Sequence, residues 1–191
     1  MKHTLIPIVF LLITSLGLAD ETYNIHQSKL TNSFSVDCGF GLGLLGYECD
    51  AGLTYRIDAT FYGLRYLTSG DIKGLEIGPF GGVITHFKRP LESIWEIDAY
   101  VGRIAFDRGF NARALVGLCL TGGTLRGNFI SNDGSYDHYA SLQETVIGIS
   151  TQGQLTYIPL DYVGVSLSYF ANFNSKKIFR GFIFSVQITI H

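Results

Sequence analysis

GLGLLG, Gly41 to Gly46, has the spacing of a dinucleotide-binding loop. Such a loop needs a helix after it, whose N-terminus holds the pyrophosphate, and an acidic residue about 20 positions further on. The next residues, GYECDAGLTYRID, read as strand, so these glycines are expected in a closely packed strand wall. SYDH, Ser135 to His138, groups a hydroxyl, a carboxylate and an imidazole, the types from which a nucleophile, an orienting acid and a base are drawn. They lie among turn residues in SNDGSYDH, where adjacency in sequence does not make triad geometry. His26, His86, His138 and His191 are scattered, with no H-x-x-x-H pair and no Cys-x-x-Cys, so the pattern supports no zinc site. His86 is the one strand-end residue placed for general-base work at an outer rim, and its simpler reading is an interfacial histidine bonded to a neighbour. These patterns assign no catalytic, cofactor-binding or metal-ligating residue.

The elements that carry these residues belong to an exported chain. MKHTLIPIVFLLITSLGLAD has a charged start at Lys2, an apolar run from Leu5 to Ile13, and small residues at Gly17 and Ala19, the features a signal peptidase reads. Residues 1–19 are therefore expected to be a cleaved signal peptide and 20–191 a single domain. The apolar run is shorter than the roughly 20 residues of a spanning helix. Losing Lys2 with the leader leaves one base fewer than the 14 Lys and Arg, against 16 Asp and Glu, which gives no basic footprint for nucleic acid. Three cysteines, Cys38, Cys49 and Cys119, are too few for a disulfide scaffold. Cys38 and Cys49 are left open as a pair, and the odd count leaves at least one thiol free.

Beyond the leader the chain carries strand signals and almost no helical period. Segments rich in Tyr, Phe, Val, Ile and Gly are expected at 43–57, 59–68, 74–87, 93–106, 110–124, 141–158, 162–173 and 178–190, with 33–42 either lengthening the first or standing apart. Eight strands predict an all-β fold, one antiparallel up-and-down barrel. With the N-terminus on the periplasmic side, the inward connections would be SGDIK (69–73), DRG (107–109) and PLD (159–161), all short. The longest connection, Gly122 to Tyr139, points outward, in keeping with short periplasmic turns and longer external loops.

Alternation then assigns the faces. SIWEIDAYVG puts Trp95, Ile97, Ala99 and Val101 opposite Glu96, Asp98, Tyr100 and Gly102; NARALVGLCL puts Ala112 to Leu120 opposite Arg113; YVGVSLSYF puts Val163, Val165, Leu167 and Tyr169 opposite Gly164, Ser166 and Ser168. The last strand, FRGFIFSVQITIH, puts Phe182, Phe184, Val186, Ile188 and Ile190 opposite Ile183, Ser185, Gln187 and Thr189. A soluble barrel would turn the apolar faces inward and need a charged outside, yet charged residues make up only 16% of the chain against about 25% in ordinary soluble proteins. Apolar outward and small or polar inward is the preferred orientation. The inward charges would then be Arg56, Arg65, Glu76, Glu96, Asp98, Arg113 and Glu144, three bases and four acids that pair into a plug with no open pore. Arg180 shares the outward parity and is expected to snorkel at the interface.

QLTYIPLDYVGVSLSYFANFNSKKIFRGFIFSVQI, Gln154 to Ile188, resembles the last three strands of small, uncharacterised outer-membrane β-barrel proteins of Gram-negative bacteria. ATFYGLRYLTSG, Ala59 to Gly70, is similar to their second strand with its Leu-Arg-Tyr core. The chain ends Ile188-Thr189-Ile190-His191, without the terminal aromatic that many such barrels carry. The resemblance implies an architecture and no activity. The leading expectation is a non-enzymatic, monomeric integral outer-membrane barrel, with membrane lipids and the barrel-assembly machinery as partners and the outward loops, chiefly Gly122 to Tyr139 (122–139) and Asn172 to Lys177, as the surface for an external one. Two other readings remain open at this point. One is an exported, soluble lipocalin-like carrier with Phe182, Phe184, Val186 and Ile188 lining an apolar cavity; the other is a barrel enzyme that modifies lipid A.

Overall fold

The computed structural model describes residues 32–71, 76–77, 83–84, 87–107, 110–134, 136–160 and 162–190. The leader, His26, His86, Ser135 and His191 lie outside these residues. Strands succeed one another as β1 (Ser33–Gly43), β2 (Gly46–Ile57), β3 (Thr60–Asp71), β4 (Glu76–Ile77), β5 (Val83–Ile84), β6 (Phe87–Arg89), β7 (Ser93–Asp107), β8 (Phe110–Asn132), β9 (Tyr136–Leu160), β10 (Val163–Asn174) and β11 (Phe179–Ile190). Eight of them, β1, β2, β3 and β7 to β11, pair antiparallel with their neighbours, and β11 returns to pair with β1. The result is a closed, all-antiparallel eight-stranded barrel with no helix among the described residues.

The sequence reading differs at three places: 33–42 is a strand of its own, the described part of 74–87 supplies no wall strand, and the expected connection from Gly122 to Tyr139 is mostly strand, with β8 running to Asn132 and β9 starting at Tyr136; the first two cancel in the strand count. The expected strand 43–57 is β2, and 33–42, left open as a lengthening of it or a separate piece, stands apart as β1; Leu44 and Leu45 join the two, with Gly46 at a φ of 136° where a side chain would strain the turn. Of the expected strand 74–87 only 76–77, 83–84 and 87 are among the described residues, and none of these belongs to the eight wall strands. Its ends form β4 and β5, two residues each, paired to one another through Glu76 and Ile84. Gly78-Pro79 and Gly81-Gly82, which lie outside the described residues, are weak strand formers by type, and the apolar alternation around them hides this in the sequence. Shifting the count in this way also moves one connection. SGDIK is expected at the inner end, but Ser69 to Asp71 finish β3 at the same end as the Leu44–Leu45 turn, the β8–β9 hairpin and the 175–178 loop. The short connections from β2 to β3, β7 to β8 and β9 to β10 all fall at the opposite end, so the short-turn side is more uniform than the sequence reading has it.

The alternation is as expected. Phe182 and Phe184 are 57% and 56% exposed, whereas Ile183 between them is 0% exposed. The apolar side chains of β11 therefore lie outside the barrel and do not line a cavity, which removes the lipocalin-like orientation. Outward positions are apolar, small or hydroxyl-bearing along the wall; among the described residues only Arg103 near the inner end and Arg180 near the outer end are charged, and both are exposed. Phe34, Tyr55 and Tyr62 sit side by side across β1, β2 and β3 near the inner end, and Phe110 stacks on Tyr157 at 4.8 Å at the same end. Trp95, with Tyr169 against Phe182 at 5.0 Å, lies toward the other end. An apolar band between aromatic belts is the exterior of a barrel that lipid surrounds. β10 and β11, of 12 residues each, exceed the 9–11 that a tilted spanning strand needs. Cys38 and Cys49 are both exposed on this outer face and both free; they are offset by two residues in the β1–β2 register, with Cys38 opposite Ala51 and Cys49 opposite Phe40.

A charge placed at mid-strand on this face must be taken into hydrocarbon. Phe184→Arg is expected to lower the stability by about 2–4 kcal/mol and Ile190→Arg, at the strand end, by about 0–1 kcal/mol. Urea titration of the refolded barrel in lipid vesicles checks the difference; equal costs at both sites would place Phe184 away from lipid.

Candidate functional site: the polar interior and the outer mouth

Inward positions of the eight strands carry the chemistry. Arg65 on β3 stands directly across from Asp98 on β7. Its Nε lies 2.8 Å from Asp98 Oδ2, a second nitrogen bonds the same oxygen, Nη2 lies 3.4 Å from Glu96 Oε1, and Nη1 donates to Gln152 Oε1 at 2.6 Å. The Phe170 ring packs 5.2 Å from this guanidinium. Arg65 is 4% exposed and both acids are 1% exposed, so the pair is held in a water-poor interior where neither charge persists without the other. Nearer the inner end, Arg113 lies 4.4 Å from the centre of the Phe61 ring and donates to Asn111 Oδ1 at 3.0 Å, and Arg56 approaches the same ring from 5.9 Å. Thr54 and Tyr100 share a 2.7 Å hydrogen bond between these layers. Fully buried Phe61, Phe170, Leu67 and Ile183 occupy the space around the charged groups.

Of the expected inward charges, Arg56, Arg65, Glu96, Asp98 and Arg113 face inward. Glu76 lies in β4, away from the wall. Glu144 has inward parity, but it stands above the point where β10 stops at Asn174, opposite Gly148, and there it is exposed and paired with Lys176 at 2.5 Å. The sequence reading missed Asp37, Glu48 and Asp50. The parity that turns Arg56 inward also turns Glu48 and Asp50 inward, and the β1–β2 register adds Asp37 opposite Gly52. Glycines make room for them: a Cβ on Gly43 or Gly181 would overlap the Glu48 carboxylate. Among the described residues, the inward side chains of the wall thus comprise five carboxyl groups against three arginines, so acidic groups outnumber basic ones where the sequence reading expected near balance.

The outer mouth is closed in two layers. Leu45, Ile94 and Phe179, with Leu125 against them, form an apolar layer. Over it, Glu92 ties three elements together: its carboxylate accepts from Arg126 Nη2 at 3.0 Å, from the Arg126 backbone amide at 3.0 Å and from Lys177 Nζ at 2.9 and 3.0 Å. Arg126 also reaches Asp71 at 2.7 Å, and the Asp71 amide donates to the Glu92 carbonyl at 3.0 Å. Burial alone would raise the Glu92 carboxyl; the bonds from Arg126 and Lys177, with their charges, outweigh it and hold the group below the ordinary glutamate value.

Beyond the mouth, β8 and β9 continue as a two-stranded arm. β8 last pairs with β7 at Thr124 and runs on to Asn132, a further eight residues, or about 27 Å at full extension less what two register shifts take up. The tip is fixed by polar bonds: Asn132 Oδ1 accepts from the Gly134 amide at 2.6 Å, Asp133 Oδ1 from the Tyr136 amide at 2.7 Å, and Asn132 Nδ2 donates to Asp137 Oδ1 at 2.5 Å. Phe129 meets Tyr139 edge-on at 5.6 Å, and Arg89 of β6 lies 4.4 Å from the Tyr136 ring where β6 pairs parallel to β9. Within SYDH, His138 Nε2 lies 3.0 Å from Asp133 Oδ2 and Asp137 is engaged by Asn132, so these two residues serve the turn. Gly41 and Gly43 lie in β1 and Gly46 opens β2, so the dinucleotide spacing falls on a hairpin with no helix after it.

The sequence matches no family profile and no curated protein. By fold, the chain is similar to the N-terminal β-barrel domain of Pseudomonas aeruginosa OprF, with a TM-score of 0.57, 13% identity and coverage of 84% of this chain and 98% of that one. It is also similar to a major outer membrane protein from Thermus thermophilus, with a TM-score of 0.56, 9% identity and coverage of 84% and 100%. For Neisserial surface protein A the TM-score is 0.51 and the identity 15%, over 83% of this chain and 94% of that one. At these identities the fold is what is shared. It is the fold of outer-membrane β-barrels, and the lipid-facing exterior described above agrees with it.

The interior and the mouth can each be tested by one measurement. Arg65→Met leaves Glu96 and Asp98 buried without their counter-charge and is expected to cost about 3–5 kcal/mol of stability, much of it restored by adding Asp98→Asn; urea titration of both variants checks the coupling. Because Glu92 is held below its ordinary value of 4.5, its contribution is fully present above that pH and is lost as the pH falls through the lowered value. The protection factor of the Arg126 amide, its exchange rate corrected for the intrinsic dependence on pH, should fall across that window, and in Glu92→Gln it should no longer change with pH.

Proposed function

We propose that the chain is a non-enzymatic integral outer-membrane barrel that conducts no ions and serves to hold the β8–β9 arm outside the cell as a contact surface. The observation that carries this reading is the contrast between the two halves of the molecule. Inside the wall, packed and ion-paired layers succeed one another from Phe61 and Arg113 through Arg65, Glu96 and Asp98 to the Glu92 bridge, whereas the arm presents Phe129, Ile130 and Leu142 as exposed side chains. An eight-stranded barrel is just wide enough to be filled by its own side chains, which supports a sealed interior. Exposed apolar residues on a stiff, hydrogen-bonded projection support recognition of an external partner. The wall itself meets outer-membrane lipids as a monomer, and the assembly machinery handles it during insertion.

Topology and conductance test this together. In cells carrying a Cys38→Ser, Cys49→Ser background, a cysteine at Asn132 should react with a membrane-impermeant thiol reagent, and one at Asp58 should not. In planar bilayers the purified barrel should show no steady unit conductance. Labelling at Asp58 alone would invert the arm into the periplasm, and a stable conductance would replace the scaffold with a channel.

A further inference from the structure

We propose that a groove on the outer face of the wall holds one phospholipid, with an acyl chain in the groove and the phosphate at Arg103. Two rows of outward side chains form its sides. Leu53, Leu64, Ale99 positions are read along the register as Leu53, Leu64, Ala99, Leu118 and Ile149, each opposite the next from β2 to β9. Tyr55, Tyr62, Val101 and Val116 form the next row toward the inner end. Between the rows run Gly63, Tyr100 and Gly117, whose inward parity leaves only backbone on this side as the floor. The groove has a volume of about 850 Å³. Small-molecule sites span about 300–1,000 Å³.

Ala99 makes the groove. It carries a methyl where the other members of its row carry branched side chains, so the sheet is bared between Leu64 and Leu118. The lining is apolar except for the Tyr55 and Tyr62 hydroxyls, and it opens on the side where this wall meets hydrocarbon. A molecule that enters it therefore arrives from the bilayer.

The polar end selects the molecule. One row beyond Tyr62 and Val101, Thr60, Arg103, Ala114 and Gly153 stand opposite one another. Arg103 is exposed, and among the described residues it is the only outward charge near the inner end. Next to it in the row Ala114 carries only a methyl, and a Cβ on Gly153 would meet nothing within 4 Å, which leaves room for a headgroup. Along β7 toward the inner end the face thus passes from an apolar groove through two tyrosine hydroxyls to a guanidinium. A phospholipid has the same order, from chain through ester to phosphate, and a guanidinium binds phosphate through paired N–H donors. Tyrosine is at home at that interface, with its ring in the apolar layer and its hydroxyl at the headgroups. A second copy of this wall would offer Arg103 no anion, because the outward face carries no acid among the described residues. The site is separate from the arm and does not depend on its role.

The test uses the full mature chain refolded into phosphatidylglycerol vesicles that carry a trace of the same lipid with a photoreactive diazirine on its acyl chain. After illumination, adducts should concentrate on the peptides that contain Ala99 and Leu118. Native mass spectrometry of the barrel extracted into mild detergent should show a single retained phospholipid. Ala99→Phe fills the groove with a side chain that a lipid-facing position tolerates, and it should abolish retention. Arg103→Gln should lower retention about tenfold, as loss of a charge-assisted contact implies. Ile188→Phe, on the outward face of β11 and away from the groove, should leave retention unchanged. Gel mobility without boiling verifies that each variant is a closed barrel, and Ala99→Leu replaces Ala99→Phe if the larger side chain prevents closure. Adducts spread evenly round the wall, equal retention in both folded variants and the parent, or a dimer in place of the lipid adduct overturns the site.

Discussion

In hydrocarbon there is no water to satisfy a peptide group, so the pairing of β1 with β11 is the constraint on which the rest of this molecule depends. Ten consecutive residue pairs, from Phe34 with Ile190 to Gly43 with Gly181, close the sheet and leave no edge in the wall. Closure divides every strand into one series of side chains that meets lipid and one that meets its opposite numbers across a narrow lumen. The outward series can then be uniform, because one solvent faces it all round. The inward series cannot be, because each side chain must fit what the strands across the barrel leave free.

That second requirement explains where the charges and the glycines sit. Arg65 is held by groups from three strands, β3 carrying it, β7 supplying Asp98 and Glu96, and β9 supplying Gln152. Glu48 fits because Gly43 and Gly181 beside it have no side chains. Four inward glycines, Gly39, Gly43, Gly52 and Gly181, are thus matched to the carboxylates of Asp37, Glu48 and Asp50, while Gly63 makes room for the Tyr100 ring. At the mouth the same shortage of space is met differently, by Leu45, Ile94 and Phe179 as an apolar layer and by Glu92 as a polar clasp above it.

Much of this is legible in the sequence, for a physical reason. Period-two alternation records which solvent each side chain meets, so the outward Phe184 and inward Ser185 can be assigned with no knowledge of neighbours. Strand limits are less legible. Apolar alternation continues straight through the Leu44–Leu45 turn, and only the pairing register separates hairpin from strand there. The polar interior is half legible. Glu96 and Asp98 stand out on a regular strand, whereas Asp37 gains its place from the register between β1 and β2, and Glu92, Arg126 and Lys177 meet from three distant segments that no local pattern connects.

Closure also governs how the molecule comes into being. Ser35 and Thr189, hydrogen-bonded at 3.1 Å across the seam, are 154 residues apart in sequence. The first strand waits for its final partner until the last residues of the chain exist, and the loop-closure entropy is met only in that final step. Contacts of such separation make folding slow relative to hairpins that form locally, such as β8 with β9. Until the seam forms, β1 and β11 are each an unpaired edge flanked by apolar side chains, and such edges aggregate with one another. The interval between synthesis and closure is thus the vulnerable part of this protein's life, and its length is set by the distance between two hydroxyl groups along the chain.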